Sequence, residues 1–348
     1  MTEIYLIRHG EAEGNMFRRL HGQYNSLLMP RGHQQKAYIT KRFEHIRIDA
    51  CYASDLTRAS LTAQSIYLPK KLPLRRDRRF RELEVGVWED LTYGYLDHYE
   101  AKTMRSFSHD PKNWHVCGSE TYDDYTQRFI EAMTEAALDH DGGTVAIFAH
   151  GAVLRGTLMR LFFDGDASRL PLSDNAGVSR LFFHKGCYTY DYLNDNSHIP
   201  PELSTFAVQS WWRKTDNRAE ANLYFEPLHR AGRLPAGFAL PDADSRGQRM
   251  VAMMDGMPVG AVSLGPQDGF LGKVLGMTLL PAYAGRYYGD QLLGCAVCHF
   301  RRLGCRDLEL APGAYPDDVI RRYEFDPVTL RRSFNAEGFD WSTPIEGD

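Results

Sequence analysis

The sequence predicts an α/β protein of two successive domains, and three observations carry the prediction. Two continuous apolar runs, Ile4–Ile7 and Val145–Ala149, each lead within two residues to a histidine. Such runs read as parallel strands buried on both faces, and open α/β sheets bind ligands just beyond the carboxyl ends of those strands. A proline pair, Pro200-Pro201, disfavours helix continuation past the middle of the chain. About 145 residues follow it, enough for an independent domain, and they restart a strand and helix pattern of their own.

In chain order, the first strand presents Arg8-His9-Gly10-Glu11. A histidine beside an arginine is by itself most often structural, so the reading depends on what accompanies it. Ser54-Asp55-Leu56-Thr57-Arg58-Ala59 places Arg58 in the first turn of an expected helix with Ser54 as its N-cap. Helix N-termini attract anions. Arg81 to Glu89 holds several carboxylates, and the second buried strand delivers His150-Gly151. Two arginines, two histidines and a carboxylic acid suit phosphoryl transfer. Arginine forks match phosphate oxygens, a histidine can be the nucleophile, and an acid protonates the leaving oxygen. This set requires no metal.

These residues are similar to the histidine phosphatase superfamily, the phosphoglycerate mutase-like fold, over about the first 200 positions. Arg8 to Gly10 and Asn15 resemble the family's first box. Gly22, Asn25, Leu28, Gly32 and Gln35 resemble its second, with Asn25 in place of the more usual Asp and expected to affect only local turn geometry. Ser54, Leu56, Arg58, Ala59, Thr62 and Ala63 resemble the third, and Ala149, His150 and Gly151 the fourth. The resemblance implies a three-layer α/β/α domain over residues 1–200. It implies His9 as the nucleophile that becomes a phosphohistidine, with Arg8, Asn15, Arg58, His150 and the Gly151 amide around the phosphoryl group. Glu82 is the implied acid, and Glu84 competes for that role. Glu82 is preferred because of its spacing to Gly86, Trp88 and Glu89.

The Gly-x-Trp-Glu stretch and the short insertion after it, about Leu91 to Cys117, resemble phosphatase branches more than cofactor-dependent mutases. A phosphoglycerate-mutase-type isomerase is the alternative. Tyr93, Tyr95 and Trp114 make the insertion read as a lid over the leaving group, or equally as aromatic packing onto the domain.

Composition narrows the classes. With 348 residues, 43% hydrophobic and 25% charged, the chain reads as an ordinary soluble protein with room for two cores. A formal net charge of -4 gives no electrostatic reason to expect nucleic acid or membrane partners. No apolar stretch reaches the roughly 20 residues that cross a bilayer, and no signal peptide is evident, so a cytoplasmic protein is expected. Six scattered cysteines fit a reducing compartment. Cys295-x-x-Cys298 lacks a second paired motif and is not read as a metal site. A small phosphorylated metabolite is the expected partner, and the sequence leaves homo-oligomers open.

In the second half, Met250–Met254 and Val259–Leu264 read as a hairpin joined by Asp255-Gly256-Met257-Pro258. Val274–Leu280 reads as a third strand, residues 289–303 as a helix and Asp307–Leu310 as a further strand. This order resembles the GNAT acetyltransferase superfamily, giving a GNAT-like α/β domain over 206–348. The resemblance implies a coenzyme A pyrophosphate loop at Gly285, Arg286 and Gly289. Ala284 and Tyr287 depart from that loop, and Phe334 stands where the family often has a proton-donating tyrosine. Acetyl-CoA binding is therefore an expectation against which the residues argue, and a bifunctional phosphatase and acyltransferase is the remaining alternative.

Overall fold

The computed structural model describes residues 1–170, 172–209, 221–235, 238–239, 247–284 and 287–334. Its first strand, β1 (Thr2–Arg8), is apolar on both faces because both are covered: Ile4 and Leu6 enter one core, Tyr5 and Ile7 another. The remaining strands of its sheet are β2 (Ala50–Ala53), β3 (Leu74–Arg76), β4 (Thr144–Ala149), β5 (Val178–His184) and β6 (Cys187–Asp195). Their order is β3-β2-β4-β1-β5-β6. The first four are parallel, and β5 and β6 add an antiparallel edge.

The helices of this half are α1 (Glu13–Met16), α2 (Pro30–Arg42), α3 (Thr57–Lys70), α4 (Tyr93–Tyr99), α5 (Ala101–His109), α6 (Tyr122–Asp139) and α7 (Gly151–Phe162), followed by the short α8 (Thr205–Gln209). Ile39 and Phe43 of α2 and Ala63 and Ile66 of α3 cover one face of the sheet. Phe129 and Met133 of α6 and Val153 and Leu158 of α7 cover the other. Three layers result, as expected. Since β1, β2 and β4 are adjacent and parallel, their carboxyl ends bring Arg8-His9, Arg58 and His150 to one edge.

The chain does not leave this domain at the proline pair. Thr205 donates to Glu11 and Gln209 to the Asn15 carbonyl, so α8 stays on the first half.

A second six-stranded sheet is formed by β7 (Tyr224–Pro227), β8 (Gln248–Met254), β9 (Met257–Leu264), β10 (Leu271–Leu279), β11 (Asp307–Leu310) and β12 (Arg331–Ser333). Neighbours are antiparallel except β10 and β11, which run parallel. A parallel pair needs a crossover, and α9 (Tyr288–Arg302) supplies it, with α10 (Asp317–Arg322) after β11. The hairpin, third strand, helix and following strand fall where the sequence places them. β7 and β12 were not anticipated: both are edge strands of only four and three residues, too short to show an alternating pattern.

The core of this second half includes Met16, Phe17 and Met29 of the first. Phe17 is fully buried, 5.5 Å from the Tyr323 ring and 6.2 Å from the Phe334 ring. Gly294 admits it: a Cβ there would lie 2.7 Å from the Phe17 Cβ. Among the described residues no helix is long and apolar enough to cross a membrane.

Candidate active site

His9 is held by its own chain. It is 1% exposed, and its Nδ1 lies 2.7 Å from the Gly10 carbonyl oxygen. A carbonyl only accepts, so Nδ1 carries the proton and Nε2 keeps its lone pair. Burial first, then the Arg58 and Arg8 charges, hold the His9 pKa well below its ordinary value. The ring is therefore neutral at physiological pH.

Arg58 is the hub of the site. Its Nε donates to His150 Nδ1 at 3.1 Å, Nη1 to the Tyr24 carbonyl at 3.0 Å and Nη2 to the Gly22 carbonyl at 2.6 Å. The first bond decides the His150 tautomer, since an accepting Nδ1 places the proton on Nε2. His150 Nε2 and Arg8 Nε are buried and find no partner within the protein. Buried donors without partners are costly, and an anion is the kind of ligand that would satisfy both. Arg8 is fixed from both sides, its Nη1 donating to the Ser173 carbonyl while its guanidinium packs on Gly151. A Cβ at Gly151 would lie 3.1 Å from Arg8 Cζ. The rings of His9 and His150 are 5.2 Å apart.

Asn15 Oδ1 accepts from the Ala12 amide and from Asn175 Nδ2, both at 3.1 Å, so its NH2 is left as the outward donor. Glu82 is 8% exposed and rests on the start of α7. Its Oε1 accepts from the Leu83 and Val153 amides at 3.0 and 2.7 Å, its Oε2 from Ala152 at 2.9 Å. The Glu84 amide donates to Glu120 Oε2 at 2.9 Å. Glu89 braces the loop that carries the Arg58 acceptors, receiving the Gly22 and Gln23 amides at 2.8 Å each.

The insertion residues separate. Tyr93 is half-buried and close enough to Arg8 and Glu82 to feel both charges, burial being the main cause of its raised pKa. Tyr95 is 39% exposed, its ring 4.8 Å from that of Tyr99 and tilted by 42° to it. Trp114 is 3% exposed among Trp88 and Phe107, with ring centroids 5.3 and 4.9 Å away. Of the three, Tyr93 alone borders the site. Trp114 is core because its indole fills the space between the insertion and the domain.

Two local expectations are corrected. Ser54 does not cap α3, which starts after Leu56; Ser54 Oγ accepts from the Leu56 amide instead. The Thr57 amide is received at 2.8 Å by Asn25 Oδ1, from a loop distant in sequence. Asn25 thus acts across the fold on the helix bearing Arg58, beyond its own turn. In the second half, Gly285 and Arg286 lie outside the described residues. Gly289 is in the first turn of α9, one residue before Asp290, which is 2% exposed. An acidic side chain there opposes the anion that the loop is expected to hold. Phe334 is 3% exposed and packs near Phe17.

Sequence reasoning missed three residues. His21 is buried 5.5 Å from the His9 ring, and burial followed by Arg58 keeps its pKa well below the ordinary value. Asn175 donates to the His9 carbonyl at 3.1 Å as well as to Asn15. Asp174 supplies charge near Arg8 and is tied by Ser204 Oγ at 2.6 Å. His21 was accessible as the neighbour of Gly22; Asp174 and Asn175 carry no local signal.

A model of the histidine phosphatase superfamily, branch 1, matches residues 4–196. The chain belongs to the histidine phosphatase superfamily. Over 154 residues it is 29% identical to probable phosphoglycerate mutase GpmB of Salmonella paratyphi A, a match covering 44% of this chain and 72% of the relative. Among solved structures it is similar to YhfR of Bacillus stearothermophilus, at 30% identity and a TM-score of 0.54, covering 57% of this chain and 100% of YhfR. A mycobacterial glucosyl-3-phosphoglycerate phosphatase is similar in fold, with a TM-score of 0.53 at 24% identity, covering 56% and 99% of the two chains. For this family member, the match ends where the first sheet ends.

Proposed function

We propose that the first domain is a phosphomonoesterase that works through a phosphohistidine on a small phosphorylated metabolite. One observation carries the reading: a neutral His9 with Nδ1 fixed lies beside two buried donors, Arg8 Nε and His150 Nε2, that have no protein partner. His9 Nε2 attacks phosphorus as the ester P–O bond breaks, and Glu82 gives its proton to the departing oxygen. Oε2 is the favoured proton-transfer atom, because it accepts one amide where Oε1 accepts two. Water then attacks the phosphohistidine, returning a proton to Glu82. The P–N bond breaks, inorganic phosphate leaves and neutral His9 is restored. Arg8, Arg58, Asn15 and His150 stabilise the transferring oxygens.

The mutase alternative, already open from the sequence, matches the name of the Salmonella relatives. The short insertion, already filled by Trp88, Phe107 and Trp114, supports hydrolysis. Phosphate release from a panel of phosphorylated metabolites, with no bisphosphorylated activator added, is the deciding measurement. We expect steady release, abolished in a folded His9→Ala protein. Interconversion of phosphoglycerate isomers with negligible phosphate would establish the alternative.

For the second half, the antiparallel strands followed by the parallel β10–α9–β11 unit support a GNAT-like domain without acetyl transfer. Asp290 at the helix start and Phe334 against Phe17 support the loss of that activity. Titration of acetyl-CoA into the full chain should give no binding heat, and micromolar binding with acetylation of an amine would overturn this. No nucleic acid or membrane partner enters the proposal, and the cytoplasm remains the proposed location.

A further inference from the structure

We propose that Arg301 of the second half is a positioning residue for the phosphoryl site, acting through the loop of residues 22–26 on Arg58; this rests on the phosphomonoesterase reading. Arg301 lies in the last turn of α9 and crosses to the first half. Its Nη1 donates to Glu13 Oε1 at 2.8 Å, and Arg19 donates to the same oxygen at 2.9 Å. Arg19 also pairs with Asp90. Two cations and two anions therefore balance in a space where Glu13 and Arg19 are both fully buried.

The Tyr24 ring is part of this cluster. The Arg301 guanidinium sits 4.5 Å from its centroid and that of Arg19 at 5.5 Å. Arg301 Nη2 also reaches the Asn25 carbonyl at 3.4 Å and the Phe334 carbonyl at 3.1 Å. Although burial works against its charge, Glu13 and Tyr24 hold the Arg301 pKa above its ordinary value. It is therefore a permanent cation.

Two residues gripped by Arg301 are among those that grip Arg58 and its helix. The Tyr24 carbonyl accepts from Arg58 Nη1 at 3.0 Å, and Asn25 Oδ1 receives the Thr57 amide at 2.8 Å. The connection from the second half to the phosphate-binding arginine is thus one loop long. Removing Arg301 leaves Glu13 and Asp90 with Arg19 alone, and the buried cluster must rearrange around the excess negative charge. Tyr24 and Asn25 shift with it, and Arg58 loses its fixed direction.

A double-mutant cycle on the full chain tests this, using Arg301→Met, Arg58→Ala and the pair, with the affinity for orthovanadate, kcat/KM on an aryl phosphate and the melting temperature as readouts. Arg301→Met should weaken vanadate binding and lower kcat/KM by about tenfold when Arg58 is present, and by less than about twofold when Arg58 is already alanine. Arg301→Lys should recover part of the loss, and replaces Arg301→Met in the cycle if the latter does not fold. A role confined to holding the halves together predicts a lower melting temperature with equal losses in both backgrounds, and that additivity overturns the proposal, as does an unchanged vanadate affinity. A wild-type protein that neither binds vanadate nor releases phosphate removes the phosphomonoesterase reading and this inference with it, an outcome distinct from failure of the cycle alone.

Discussion

Both halves contain parallel strands whose carboxyl ends lead into a helix, and they fill the space around those elements in opposite ways. At the ends of β1 and β4 the first half buries charged and polar groups and leaves Arg8 Nε and His150 Nε2 without partners. Around α9 the second half fills the space instead: Phe17 lies against Gly294, Tyr323 and Phe334, and Asp290 occupies the first helical turn. Unpaired donors are tolerated where a ligand satisfies them, whereas a packed aromatic leaves nothing for a ligand to displace cheaply. The first half thus keeps unpaired donors at its strand ends, while the second packs the face of α9 at Gly294 against Phe17.

The largest expected effect tests that packing. Phe17→Ala removes a fully buried ring from the core of the second half and should lower the unfolding free energy by about 3–5 kcal/mol. Denaturant unfolding checks it. A loss below about 1 kcal/mol would mean that the halves are not joined through Phe17.

The site comes next. Arg58→Ala should lower kcat/KM by about 10²-fold to 10³-fold on alkyl and aryl phosphates alike, because the phosphoryl group is common to both. Glu82→Gln should show a comparable loss on alkyl phosphates and a much smaller one on an aryl phosphate whose leaving group needs no proton. Equal losses on the two substrates would assign the acid to another carboxylate, with Glu84 the first to examine.

The smallest effect is the pH dependence. His9, His21 and His150 all have pKa values held well below 6.5, mainly by burial and then by Arg58. In the unfolded chain they regain ordinary values, so at mildly acidic pH the unfolded state binds more protons than the folded one. Their contribution to stability is present in full above about pH 6.5 and is lost as pH falls from there toward the folded values. The melting temperature should therefore drop between about pH 7 and about pH 5, and His21→Gln should flatten that drop. Turnover per folded molecule should keep its nucleophile neutral below pH 6.5, placing the acid limb of kcat/KM lower than for a free imidazole. A melting temperature that rises on acidification would contradict the assignment.

Arg8, His9, Arg58 and His150 were legible because short-range pattern carries them: an apolar run that must be buried, followed by a reactive side chain at a strand end or in a first helical turn. The strands and helix of the second half were legible for a similar reason, their apolar periodicity. Other features had no such signal. Asn25 reads as a turn residue and caps a helix some thirty positions away, at Thr57. Ser54 reads as that cap and binds Leu56. Trp114 and Tyr95 have the same aromatic character as Tyr93, yet one is core, one is surface and one borders the site. Aromatic side chains suit all three places, so composition does not choose among them.

By itself the sequence determined which strands are buried and what chemistry stands at their ends, because apolar runs and helical periodicity are read over neighbours three or four residues away at most. The tertiary structure alone decided which donors remain unpaired, which tautomers His9 and His150 adopt, and that Arg301 and Phe17 tie the second half to the site of the first. Those outcomes depend on hydrogen bonds and packing between residues far apart in sequence, such as Glu13 and Arg301, and no local pattern encodes a partner that only folding brings within reach.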